Sequence, residues 1–273
     1  MKRKFKSSLK SQLIFLLLAI LSFTFVLVVQ RDYQKVTILT DHYPVLIYNR
    51  SKNEPQVEFK GKRPLQWFGI GQISKMAVMA IVVSEDWPFF EHSGYDTSQI
   101  KVAIKENWKA KRFARGASTI TQQVARNVFL NHKKNLWRKF RELVLAISLE
   151  RHFSKHKILE IYFNIVEWGK GIYGIGAATQ FYFNKNPSEL NAKEGAFLAM
   201  LLPNPKRYGV SFHQGVLTDY AHEVIDSILH KMVQAGFLSQ DEAQELLAQP
   251  LSFEDVLEDN EEEFSPQVLP NAQ

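Results

Sequence analysis

Ser84-Glu85-Asp86-Trp87-Pro88-Phe89-Phe90-Glu91-His92-Ser93-Gly94-Tyr95-Asp96 follows an apolar run from Met76 to Val83, with Ser74 placed as its N-cap. Apolar side chains surround nearly the whole of that run, so it predicts a buried helix. Glu85 and Asp86 fall where the helix should end, and aromatic residues and a proline follow at once. A carboxylate there faces the negative end of the helix dipole, and aromatic walls strip it of water. Both effects raise its pKa, which is how a glutamate becomes a proton-transfer group near neutral pH. The plainer alternative is a solvated helix terminus with Glu91-His92 as a surface turn. This stretch alone does not decide between them.

The chain has 273 residues, a formal net charge of +6 and no cysteine. The charge points to an anionic partner: nucleic acid, phosphate or a membrane surface. Without cysteine there is no disulfide framework, thiol chemistry or Cys-based zinc site. Lys2, Arg3, Lys4, Lys6 and Lys10 precede an uncharged run from Leu13 to Val29, about 17 residues and just long enough to span a bilayer. No small-residue cleavage site follows it, so the run reads as an uncleaved anchor with its basic end in the cytoplasm.

The expected division is a basic N-terminus (1–12), a transmembrane helix (13–29), a stalk (30–66), a catalytic domain (67–250) and an acidic, disordered tail (251–273). Within the stalk, Val36-Thr37-Ile38-Leu39 and Val45-Leu46-Ile47-Tyr48 are β-prone runs. Asp96 to Lys111 reads as a basic, partly amphipathic helix with Ile100, Ile104 and Trp108 among lysines. With Phe113 beyond it, this helix is either an ordinary surface element or an interfacial membrane contact.

Thr119 and Gln122 have the spacing of a capping box, which leaves the Gln122-Gln123 pair and Arg126 unexplained. Leu136, Phe140, Leu143, Val144 and Ile147 mark one face of a long helix, with Arg138, Lys139, Arg141 and Glu142 opposite. Arg138–Glu142 is either a surface ion pair or part of the cation cluster that a diphosphate site needs. Further helices are signalled by Ser154, by Asn191 with Glu194, and by Ser239 with Glu242. The glycines from Gly169 to Gly176 lack a preceding strand for a dinucleotide fingerprint and read as close helix packing.

Taken together, these motifs resemble the monofunctional peptidoglycan glycosyltransferases (glycosyltransferase family 51), whose catalytic domain is shared with class A penicillin-binding proteins. The resemblance is carried by Glu85-Asp86-x-x-Phe89-x-x-His92-x-Gly94-Tyr95-Asp96 and Gly116-x-Ser118-Thr119-Ile120-Thr121-Gln122-Gln123. Arg138-Lys139-x-x-Glu142 and Lys155-x-x-Ile158-Leu159-Glu160-x-Tyr162-x-Asn164 continue it, and it runs from Trp67 to Tyr208. It implies a mostly α, lysozyme-like domain with a large head lobe and a small membrane-associated jaw lobe. The implied activity is polymerisation of lipid II into glycan strands by inverting transfer of the lipid-linked growing chain onto the 4-hydroxyl of the incoming lipid II GlcNAc. By position, Glu85 matches the general base and Glu142 the second essential carboxylate. Ser118, Thr119, Gln122, Gln123, Arg126, Lys134, Arg138 and Lys139 match positions around the sugar and diphosphate.

Asp86, Phe89, His92, Gly94 and Asp96 are expected to shape the loop that aims Glu85. The resemblance also implies a divalent cation (Mg2+ or Mn2+) carried on the substrate diphosphate, with no organic cofactor and no nucleic-acid partner. Expected partners are the lipid substrates, the membrane and cell-wall synthesis or division proteins. The expected location is the bacterial cytoplasmic (inner) membrane, with the catalytic domain on its outer, periplasmic face. Arg126 stands where the family often has lysine, and Lys134 where it often has arginine, so the phosphate geometry departs from the pattern. Two other readings stay open at this point: a lysozyme-like lytic enzyme, or an inactive membrane-anchored scaffold.

Overall fold

A computed structural model describes residues 9–49, 54–110, 118–130 and 135–254. Lys134 and Gly116 of the expected site, the basic residues before Leu9, Phe113 and most of the acidic tail lie outside the described residues.

The chain opens with α1 (Leu9–Lys35), whose large apolar side chains between Leu13 and Leu27 are 44–75% exposed. α1 is long and apolar enough to cross a membrane. It does not stop at Val29 but runs on to Lys35 and tightens into a 3₁₀ turn, Val36–Thr40. The β-prone run at Val36–Leu39 is therefore not a strand. The preceding helix sets its backbone, and Val36 and Leu39 are buried in the core. The second run is a strand: β1 (Tyr43–Asn49) pairs antiparallel with β2 (Glu54–Lys60). Tyr43 meets Trp67 edge-on at 5.1 Å and Phe59 stacks on Phe129 at 6.4 Å, so this hairpin packs on the domain and is no free stalk.

α2 (Lys75–Glu85) is buried from Ala77 to Val83, as its all-round apolar sequence requires, with Ser74 Oγ accepting from Ala77 N–H. α3 (Thr97–Ala110), α4 (Ile120–Phe129), α5 (Leu136–His152) and α6 (Lys155–Ile165) follow. The tight ribbon β3 (Glu167–Gly169) and β4 (Ile172–Tyr173) leads into α7 (Ile175–Phe183), α8 (Ala192–Leu201), α9 (Pro205–Tyr208) and α10 (Val210–Gln214). The described chain closes with α11 (Asp219–Gln234) and α12 (Gln240–Ala248). The expected boxes at Asn191/Glu194 and Ser239/Glu242 cap α8 and α12, and Ser154 caps α6.

The core lies between α2, α6, α8 and α11, with Trp168, Tyr162, Phe163 and Phe197 fully buried. α2 and α8 approach to backbone contact, since a Cβ on Gly195 would sit 2.5 Å from Ala77 Cα. Asn164, on α6, grips the chain ahead of α2. Its Oδ1 accepts from Phe68 N–H at 2.9 Å and its Nδ2 donates to Phe68 O at 2.7 Å.

Candidate active site

Glu85 is the last residue of α2, held at the lip of a cleft of about 410 Å³ that it shares with Trp87, Asp96, Ser118 and Lys231. Burial pushes its carboxyl above the usual glutamate range. Donation from Gln123, the cations Arg126 and Lys231, and the neighbouring Asp86 act with smaller effect, all but Asp86 pulling it down. The expected wall of three aromatics is only partly there. Trp87 borders the cleft, but Phe89 is fully buried beneath Lys155, whose Nζ lies 4.4 Å from its ring centroid, and Phe90 packs on Phe89.

Asp86 also borders the cleft and serves as the loop's anchor. It is buried, accepts from His92 Nε2 at 2.9 and 3.1 Å, and accepts from the backbone N–H of Ile120 at 2.9 Å. Gly94 N–H donates to His92 Nδ1, which assigns the histidine proton to Nε2 and makes that atom the donor to Asp86. Gly94 has φ +90°, and its carbonyl accepts from Thr119 Oγ1 at 2.8 Å. Thr119 and Gln122 form the expected capping box on α4. Asp96 caps α3. Burial alone would raise its carboxyl, yet bonds from Ser98 and Gln99 outweigh this and hold it below the usual range. Asp86 and Gly94 thus fasten the loop between α2 and α3 to the start of α4, His92 braces Asp86, and Asp96 ties the loop to α3.

The second carboxylate, Glu142, is 1% exposed and sits on α5, whose N-cap is Asn135. Its oxygens accept from Arg138 Nη1 at 2.8 Å and from Lys139 Nζ at 2.6 Å. The pair read as a possible surface contact is therefore buried at its acidic end. Lys139 Nζ also donates to Ser118 Oγ at 2.7 Å and to Gln122 Oε1 at 3.2 Å. Gln123 Nε2 donates to Glu85 Oε2 at 2.8 Å. The adjacent glutamines of α4 therefore link the two carboxylates, Gln123 to Glu85 and Gln122 through Lys139 to Glu142. Capping left that pair unexplained; this contact supplies the reason.

Three contributors escaped sequence reasoning. Lys231 reaches the cleft from α11, far along the chain from Glu85, and nothing in its local pattern marks it. Lys155, which the sequence shows only as part of a motif, donates to His92 O at 2.6 Å and to Glu150 Oε1 at 2.8 Å. Tyr162, which the sequence likewise shows only as part of a motif, is buried beside Glu85 and its hydroxyl pKa is pushed well up by that burial. Among the described residues no group of three or more His, Asp and Glu is arranged to hold a metal. Glu142 is saturated by cations and Asp86 by N–H donors, so neither fits a protein-held divalent ion.

The family described as Transglycosylase matches residues 52–233. The chain belongs to this family. The transglycosylase domain is mostly helical and lysozyme-like, in agreement with the helices above, and its matched region begins between β1 and β2. The chain is 43% identical to a biosynthetic peptidoglycan transglycosylase of Nitrosomonas eutropha over 143 residues, 52% of this chain and 59% of that one. It is 41% identical over 170 residues to the protein of the same name from Escherichia coli, covering 62% of this chain and 69% of that one. Penicillin-binding protein 1A of Aquifex aeolicus is 36% identical over 203 residues, 74% of this chain but 27% of that one. The match thus spans about three-fifths of the Nitrosomonas relative's length.

Proposed function

We propose that this transglycosylase-family protein polymerises lipid II into peptidoglycan glycan strands. The observation that carries this reading is the linkage of two carboxylates of opposite character across one helix, the half-buried Glu85 and the buried Glu142. Glu85 is disposed by burial to exchange a proton, and Glu142 is fixed between two cations.

In this reading Glu85 takes the proton from the 4-hydroxyl of the incoming lipid II sugar as that oxygen attacks the anomeric carbon of the lipid-linked chain. The new glycosidic C–O bond forms as the C–O bond to the diphosphate breaks, so the anomeric centre inverts in one displacement. The bond's electron pair leaves on the diphosphate, which Arg138, Lys139 and Lys134 receive as an anion. Among the described residues Arg138 and Lys139 face one carboxylate between them, so their cluster keeps a positive charge for that anion. Ser118, Thr119, Gln122, Gln123 and Arg126 hold the sugar and phosphate groups around these two acids. A divalent cation enters this reading only as a companion of the substrate diphosphate, because no group of three or more acidic or histidine side chains among the described residues is arranged to hold one.

α1 serves as a single-pass anchor in the cytoplasmic membrane of a bacterium. The basic residues before it stay inside and the catalytic domain lies on the outer face. Other cell-wall synthesis or division proteins are natural neighbours there. A lytic enzyme needs no cation cluster on its second carboxylate, and a scaffold needs no half-buried acid at the lip of a cleft. The deciding experiment gives the detergent-solubilised chain lipid II: lengthening glycan strands support polymerisation. Release of fragments from preformed wall without strand growth would overturn it.

A further inference from the structure

The end of α1 is welded to α5, the helix that carries Glu142. Asp32 is only 1% exposed, and Arg141 grips it with two nitrogens, Nε on Oδ2 and Nη2 on Oδ1 at 2.9 Å. Ser148 Oγ donates to Tyr33 O at 2.5 Å, and the Tyr33 ring meets His152 edge-on at 5.5 Å. On the membrane side, Phe25 packs on Trp137 at 5.9 Å and on Phe140 at 5.4 Å. These contacts run along α5 from Trp137 to His152, and the helix presents Arg138, Lys139 and Glu142 to the active site from between them.

Helix geometry sets the height of this junction. Asp32 lies three positions past Val29, the end of the uncharged run, which places it about 4.5 Å beyond the apolar segment. The headgroup layer of a bilayer is roughly 5–7 Å thick on each side. For an upright anchor this places the Asp32–Arg141 pair in the headgroup layer, while Phe25, about 6 Å back inside the apolar run, holds the Trp137 end of α5 below it. An unbroken helix joins them to the membrane, since α1 continues without interruption to Lys35.

We propose that the Asp32–Arg141 pair fixes α5 to the anchor and holds Glu142, Arg138 and Lys139 at the boundary between the headgroup and apolar layers, so that a membrane-embedded lipid diphosphate meets its cations there. Both are positioning residues that act through α5 and touch no substrate. The inference rests on the polymerase reading above.

The test places the full chain in liposomes and compares two substrates: lipid II with its long chain in the same bilayer, and a short-chain analogue added from water. Asp32→Ala and Arg141→Ala are each expected to lower kcat/KM on the embedded substrate by at least about tenfold, mainly through KM. This is within the ~10²-fold that a misplacement of about 1 Å costs. On the soluble analogue the same variants should stay within about twofold of wild type, because its diphosphate approaches at any height. The double variant should be no worse than either single one, since the two residues act as a unit, and Asp32→Glu should restore much of the loss. If an alanine variant fails to fold, Asp32→Asn provides the same comparison. Equal losses on both substrates, or no loss on the embedded one, overturn the proposal. If the wild-type chain polymerises neither substrate, the polymerase reading itself fails, an outcome distinct from the others.

Discussion

Gln123 Nε2 donates to Glu85 Oε2 at 2.8 Å, so the residue disposed to exchange a proton is steadied by an amide from a neighbouring helix. A general base works only when ionised, while burial favours its neutral form. The acid limb of kcat/KM against pH should therefore fall at a pH above the ordinary glutamate range. Gln123 and Arg126 both favour the charged carboxylate, so Gln123→Leu or Arg126→Gln should move that limb higher. A limb that stays in place in both variants would show that Glu85 is not the titrating base.

Glu85→Gln separates chemistry from stability. Loss of the base should cut polymerisation by about 10²–10⁴-fold. Because the folded-state pKa of Glu85 is raised, its favourable contribution is full at acid pH and is lost as pH rises through the folded value. The variant should therefore melt higher than wild type at pH 8, with the gap closing in acid. Thermal melts at the two pH values measure this, and a variant less stable at pH 8 contradicts the assignment.

Asp86→Asn should destabilise the chain by about 2 kcal/mol, because the new amide cannot accept from both His92 Nε2–H and Ile120 N–H without turning a donor toward one of them. Urea titration reads the loss. Activity should fall with it, since the loop from α2 to α3 is released from α4.

Lys139→Ala should do the reverse. Its side chain is 44% exposed, so the stability change should stay within about 1 kcal/mol. It is also the link from Glu142 to Ser118 and Gln122, and its removal should cost about 10²-fold in kcat. Steady-state kinetics beside a melting curve distinguish the two effects.

Gly94→Ala tests the loop's backbone. At φ +90° any side chain is strained, and a Cβ would lie 3.0 Å from Ala146 O and Glu150 Cγ. A loss of about 2 kcal/mol is expected in chemical denaturation, combining left-handed strain with the close contact.

Local chemistry was the legible part of this sequence. Ser74, Thr119 with Gln122, Ser154, Asn191 with Glu194 and Ser239 with Glu242 all cap as their spacing requires, because a cap is decided within one helical turn. The buried α2 was equally plain from its composition. Partners brought together by tertiary folding were not. Asp32 has no sequence neighbour that announces Arg141, and Lys231 enters the cleft from a helix whose own pattern is ordinary. Phe89 illustrates a subtler limit. Sequence shows an aromatic near a carboxylate, but the turn after Asp86 decides which way the ring faces, and it faces Lys155.

The contact between Gly195 and Ala77 has a mechanical consequence. With a backbone atom of α2 where a side chain of α8 would begin, these helices cannot slide past each other, so Glu85 stands on a fixed post. A polymerase must shift its product by one repeat after each addition. Under the proposed polymerase activity the strand has to thread past a stationary tooth, and any ratcheting belongs to the product or to the facing walls of the cleft.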